Sequence, residues 1–236
     1  MPLMLIAVIS DIHGNLPAFQ EVIKKTEELH AEIVYCLGDT VGYGPFPNEC
    51  VDLVREKCAV VLKGNHDSGL TGETPLDDFN HYGVSAIQWS KTVVTKENCE
   101  YLRTLPFTAE EKGLTLAHSS PNKPQSWNYI LTMRAAQENF AAFKTTLAFI
   151  GHTHVPVIIG EDGSVNRYKP GLRHIINVGS VGQPRDGNPD AAFGLYDTET
   201  TDYELVRVHY EVQKTARAIR DLGLPEFLAQ RLFQGV

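Results

Sequence analysis

Five short polar clusters hold most of the chemistry open to this chain: Asp11-Ile12-His13, Gly38-Asp39, Gly64-Asn65-His66-Asp67, Ala117-His118 and Gly151-His152-Thr153-His154. Their Asp, His and Asn side chains are oxygen and nitrogen donors, with no thiolate among them. Together they are numerous enough to cage two divalent cations. Hard oxygen combined with borderline imidazole suits Mn²⁺, Fe²⁺, Zn²⁺ or Ni²⁺ and is poor for Ca²⁺. Asp-x-His and His-x-His pairs at strand ends can aim both side chains the same way, because alternate strand residues share a face. The carboxylate after Gly38 has two oxygens and can bridge two ions, while Asn65 supplies a neutral carbonyl.

Each cluster begins where a hydrophobic, β-branched run stops, and strand ends in a layered sheet lie side by side. The runs Leu3–Ile9, Ile33–Leu37 and Ala59–Lys63 read as strands, and Asn48–Lys57 as a helix. A helix also follows the Gly14-Asn15 turn, with Asn15 as its cap and Pro17 in its first turn. This βαβαβ rhythm implies parallel strands with right-handed crossovers. Residues 68–106 interrupt it as a small helical insertion near the mouth of the site, with helices around Phe79–Trp89 and Glu97–Arg103. Strands at Leu114–His118 and Leu147–Gly151 flank a helix at Arg134–Phe143. Further strands follow at Val155–Gly160, Ser164–Tyr168, His174–Val178, Phe193–Tyr196 and Glu204–Val208, the first two joined by a Glu161-Asp162-Gly163 hairpin turn. Helices at Val212–Leu222 and Pro225–Phe233 complete the order, covering a sheet face in preference to forming a homodimer contact. Two face-to-face sheets with helices outside both account for this order in one domain spanning 1–236.

Composition sets outer bounds. With 236 residues, 42% hydrophobic and 21% charged, the chain is an ordinary globular one. Its net charge of −8 argues against sequence-independent binding to duplex nucleic acid or anionic lipid. Small phosphate-ester or nucleotide substrates remain open, since bound dications reverse the local field. Cys36, Cys50, Cys58 and Cys99 form no CxxC pair and read as free thiols of a cytoplasmic protein. Met1–Ile9 lacks a basic leader and is read as a buried strand, not a signal peptide, and no run has the length of a membrane span.

The set DxH…GD…GNHD…H…GHTH resembles the calcineurin-like metallophosphoesterase superfamily, in particular its small prokaryotic phosphodiesterase-type members, from Asp11 to about Arg185. The resemblance implies a four-layer α/β/β/α sandwich. It implies that Asp11, His13, Asp39 and His154 bind one metal, that Asp39 bridges, and that Asn65, His118 and His152 complete the second. It further implies that His66 is not a ligand but faces the substrate phosphate, with Asp67 orienting its ring. Two ions roughly 3.5–4 Å apart would then hold a bridging hydroxide as nucleophile for in-line attack on phosphorus. A protonated His66 would donate to the departing oxygen. Small residues in Asn177–Arg185 let the backbone pass beneath the site, and Arg185 is a candidate for the substrate phosphate, against pairing with Asp186.

Two departures narrow the function. Gly38-Asp39-Thr40-Val41-Gly42-Tyr43-Gly44 lacks the Asp-Arg pair of the family's protein phosphatases and symmetrical dinucleoside tetraphosphatases, and Ser119 stands where many relatives have Gly. The expectation is a phosphodiesterase with some phosphomonoesterase activity. A dinucleoside polyphosphate hydrolase is the rival enzyme, and a non-catalytic scaffold of the same fold is the rival from another class. Tyr43, Phe46, Trp127 and Tyr129 are expected to pack their loops onto the sandwich edge rather than to stack on substrate. Asn80 and His81 are expected to stand away from the site.

Overall fold

Apolar runs too short for helices become strands here, and amphipathic runs between them become helices. The computed structural model describes residues 4–236, so Leu3 of the first expected strand lies outside the described residues. In chain order, β1 (Leu5–Ile9), α1 (Leu16–Glu28), β2 (Ile33–Cys36), α2 (Pro47–Lys57) and β3 (Val60–Val61) form the opening unit. Next come α3 (Asn65–Thr71), α4 (His81–Val93), α5 (Lys96–Thr104), β4 (Thr108–Glu111) and β5 (Leu114–Ala117). They lead to α6 (Met133–Phe140), β6 (Leu147–Ile150), β7 (Val157–Gly160) and β8 (His174–Asn177). The remainder is β9 (Ala191–Asp197), β10 (Tyr203–Val208), α7 (Val212–Asp221) and α8 (Glu226–Gln230), with a 3-10 turn at Arg231–Phe233.

Two five-stranded mixed sheets result, ordered β10-β9-β1-β2-β3 and β4-β5-β6-β8-β7. In the first, β1, β2 and β3 run parallel and β9 is antiparallel to β1; in the second, β5, β6 and β8 run parallel. Alternation along each strand divides its side chains between layers. Ile6 and Val8 meet Leu116, Phe149 and Ile176 between the sheets. Ala7 and Ile9 face Phe19, Val22 and Val51 of α1 and α2, while Ala148, Ile150 and Ile175 face Ala136 and Phe140 of α6. The expected α/β/β/α layering is therefore what forms.

Three local readings need correction. Ser164–Tyr168 forms no strand: Asn166 takes a left-handed φ of 51°, and one bridge, Ile159 to Val165, is the whole pairing. The short strand β4 was not foreseen, because Thr-Ala-Glu-Glu carries an edge strand's polarity and no apolar run. The C-terminal helices pack on α1 and on the insertion rather than on a bare sheet face: Ala216, Ile219, Leu228 and Leu232 cluster with Tyr43 and Ala86. Among the described residues, no helix is long and apolar enough to cross a membrane.

Candidate metal centre

Every donor lies just past the C-terminal end of a parallel strand, where the two sheets open. Asp11 and His13 follow β1, Asp39 follows β2, His118 follows β5, and His152 and His154 follow β6. Asn65 and His66 open α3, and the backbone amide of His66 points into the site at Asp39. Strand alternation is not what aims the Asp-x-His and His-x-His pairs. Asp11, His13, Asp39, His152 and His154 all lie beyond their strands with φ between 51° and 68°. Such left-handed conformations in non-glycine residues cluster at functional sites, where surrounding structure holds them.

Hydrogen bonds from the backbone fix which atoms face inward. One carboxylate oxygen of each aspartate is held by an amide: Asp11 Oδ2 accepts from His152 N at 2.9 Å, and Asp39 Oδ1 from His66 N at 2.8 Å. The other oxygens, Asp11 Oδ1 and Asp39 Oδ2, are left to the histidines. His13 Nδ1 donates to Val41 O and His154 Nδ1 to Gln183 O, which directs both Nε2 lone pairs inward. His152 reverses this: its Nε2 donates to Trp127 O at 3.0 Å, freeing Nδ1.

The inward atoms form two overlapping groups, Asp11–His13–Asp39–His154 and Asp39–His118–His152, the ligand atoms of each within 4.8 Å of one another. Asp39 Oδ2 belongs to both, 3.6 Å from His13 Nε2 and 3.4 Å from His118 Nε2. Asn65 Oδ1 lies 3.2 Å from His118 Nε2 and so adjoins the second group. Asp11 Oδ1 is buried without a hydrogen bond, and His13 Nε2 and His154 Nε2 face each other at 3.0 Å. Two imidazole lone pairs and an unpaired carboxylate oxygen turned on one point fit a divalent cation. All seven expected ligands thus converge.

Charge in the centre follows from burial and neighbours. Burial acts to raise Asp11 and Asp39, but the adjacent His154 and His118 respectively hold them below the usual carboxylate range. Burial pulls His152 down to about 3 and His66 to about 4. His118 is the exception: burial would lower it, yet Asp39 overrides this and raises it to about 9. A cation held by His118 would require its ligating nitrogen unprotonated.

His66 is not among the grouped donors but lines the adjoining cleft, of about 240 Å³, together with Tyr43, Phe79, Asn80, Trp127, Tyr129 and Arg185. Its ring is set by packing. Tyr43 and Phe79 stand 4.4 and 5.1 Å away between centroids. Asp67 does not orient it: that carboxylate accepts from Val41 N and Gly64 N instead, holding the β2 loop to the start of α3. Asp67 is pushed up to about 7 by burial and by Asp39. Arg185 does not pair with Asp186, which goes to Arg207; its Nη2 donates to Gln183 Oε1 and its buried Nε has no partner.

The aromatic loops also depart from expectation. Tyr43, Trp127 and Tyr129 line the cleft, with Tyr129 stacked on His152 at 4.1 Å, whereas Phe46 does not. Asn80 lines it too, and His81 does not. Thr74, Asp78 and Ser126 complete the walls and carried no signal in sequence beyond their places in the insertion and in the loop after His118.

Comparison with known proteins bears on the family of the chain. Residues 4–201 match the family model of the calcineurin-like phosphoesterase superfamily domain. An uncharacterized protein of Methanocaldococcus jannaschii is 39% identical over 98% of both chains. The phosphodiesterase YfcE of Escherichia coli is 24% identical over 80% of this chain and 85% of its own. The crystal structure of a metallophosphoesterase from Sphaerobacter thermophilus superposes with a TM-score of 0.89 at 39% identity, covering 99% of each chain.

Proposed function

The chain belongs to the calcineurin-like phosphoesterase superfamily, which makes it a metal-dependent phosphoric ester hydrolase, and we propose that it is a two-metal phosphodiesterase with some activity on monoesters. The observation that carries this reading is the sharing of Asp39 Oδ2 between two donor groups. When bound, paired cations supply activation of water and neutralisation of charge on the phosphoryl oxygens. Mn²⁺, Fe²⁺, Zn²⁺ and Ni²⁺ all suit the donors. The relative from E. coli, named a phosphodiesterase, favours diesters as the substrate class.

The chain's own residues then have separable tasks. Asp11, His13, Asp39 and His154 hold one cation, and Asp39, Asn65, His118 and His152 the other. His66 and Arg185 border the cleft where a phosphate would rest beside them. Because burial keeps the free His66 neutral above about pH 4, it acts on the phosphate first as a hydrogen-bond donor. Its N–H can hydrogen-bond the departing oxygen as negative charge gathers there, whereas full proton transfer requires the imidazolium form. Arg185, with a buried Nε lacking a partner, has donors to spare for a phosphate oxygen. Four free thiols, two of them buried, are in keeping with a cytoplasmic location. A scaffold has no use for a full donor set beside an open cleft.

The test strips the protein with chelator, reloads Mn²⁺, and follows bis-p-nitrophenyl phosphate, p-nitrophenyl phosphate and diadenosine tetraphosphate. Metal-dependent turnover with the diester ahead is expected; no turnover of any of the three by metal-replete protein rejects the reading. Elemental analysis separates the residues: Asp39→Ala loses metal and activity together. His66→Ala keeps its metal and loses about 10²-fold or more in rate.

A further inference from the structure

The two donor groups are anchored from outside with unequal security. In the first, His13 and His154 donate to Val41 O and Gln183 O, Val41 and Gln183 being 0% and 2% exposed. In the second, His152 donates to the carbonyl of Trp127, a half-buried residue between exposed Ser126 and Asn128. His118 Nδ1, on the other imidazole of that group, is buried with no hydrogen-bond partner. Among the described residues, Trp127 O is thus the one hydrogen-bonded anchor behind an imidazole of the second group. Trp127 has a left-handed φ of 53° and follows a 3-10 turn at Pro124–Ser126, so no strand or α-helix holds that carbonyl in place.

The side chain of Trp127 supplies the missing restraint. Its Nε1 donates to Thr74 Oγ1 of the insertion at 3.2 Å, and both residues line the cleft. Thr74 is pinned to α3 in turn: its hydroxyl shares a 2.7 Å hydrogen bond with Ser68 Oγ, and its amide donates to Ser68 O. The indole also packs 5.7 Å from Phe107 and edge-on to His118 at 6.0 Å between centroids, so Trp127 meets both imidazoles of the second group. We propose that Trp127 is a positioning residue for the second cation: its indole tie to Thr74 fixes the carbonyl that orients His152, and so sets affinity for that cation alone. The proposal rests on the two-cation reading above. It gives the insertion a task besides walling the cleft. Removing the outer partner of a ligating histidine commonly costs about 10- to 100-fold in metal affinity. Here the carbonyl stays and only its restraint is lost, so the effect is smaller.

The experiment titrates chelator-stripped protein with Mn²⁺ and follows the free ion by electron paramagnetic resonance. Wild type is compared with Trp127→Phe, Thr74→Val, their double variant, Thr74→Ser and His152→Ala. Wild type takes up two equivalents, and His152→Ala, which lacks a donor of the second group, marks which binding step is the second. Trp127→Phe and Thr74→Val each weaken that step about three- to tenfold and leave the first unchanged. The double variant loses no more than either single one, and Thr74→Ser, which keeps the hydroxyl, binds as wild type does. A second step as tight as wild type in either single variant, additive losses in the double, or equal weakening of both steps overturns the proposal and leaves Trp127 a packing residue. Should Trp127→Phe not fold, Thr74→Val and Thr74→Ser decide, since neither alters a ring. Failure of the two-cation reading would look different, with a single equivalent bound by wild type itself.

Discussion

The donor atoms in this centre are aimed by main-chain groups more than by side chains. Val41 O, Gln183 O and Trp127 O choose which nitrogen of His13, His154 and His152 faces inward, and the amides of His66 and His152 choose the free oxygen of each aspartate. Residue types and spacing made the seven donors legible in sequence. A backbone carbonyl has no residue identity to read, which is why its contribution surfaced only in three dimensions. The same limit explains Asp67: the family resemblance implied that it orients His66, but its oxygens accept from Gly64 N and Val41 N. Gly42 tests the packing view of His66 directly. With φ at 92°, a Cβ there would fall 2.2 Å from His66 Nδ1. Gly42→Ala should therefore reproduce much of the His66→Ala loss in kcat, about 10²-fold, with metal content intact by elemental analysis. Full activity in that variant would show that the ring's position is not critical. Asp67→Asn should cost about 1–3 kcal/mol of stability in urea titration, since an amide satisfies one of the two backbone donors and opposes the other.

At the scale of elements, α1 and α3 contrast in what sequence can reveal. Helix α1 was foreseen because Asn15 caps it, accepting from Ala18 N, and an apolar stripe follows. Helix α3 has no side-chain cap from its Gly64 and no apolar stripe: it opens on Asn65-His66-Asp67, and Asp67 reaches back to Gly64 N while also holding the β2 loop. Function overrode the periodicity that marks ordinary helices. The insertion's approach to the cleft also depends on one tether absent from any local pattern. Lys63, 1% exposed, donates to both oxygens of Glu73 and to Arg103 O, tying the strand end after β3 to the loop that carries Thr74 and Asp78. Lys63→Met should lower stability by about 1–3 kcal/mol and raise KM more than it lowers kcat. Equal effects on both parameters would mean that the loop does not set substrate binding.

For the whole molecule, burial of histidine has a consequence for acid. His13, His66, His152, His154 and His174 all have pKa values lowered from 6.5, chiefly by burial, and only His118 is raised. An unfolded chain takes protons on these rings below about pH 6.5, which the folded chain refuses, so their stabilisation is present above that pH and lost as pH falls. Thermal midpoints of metal-free protein should drop between pH 7 and pH 5, with a shallower slope in His174→Gln, a position remote from the metal donors. A flat profile would show that these rings are not held neutral. Long-range pairing has a different consequence. Strand β1, which leads to Asp11, is sheltered on one edge by β9, and Ser180 Oγ and Gly182 N both bond to Asp11 O. Roughly 200 residues separate the partners, and ribosomes add about 5–20 residues each second, so a nascent chain waits on the order of 10–40 s for its closing strand. During that interval the edge of β1 has no β9 to pair with, an open strand edge of the kind that can recruit another chain.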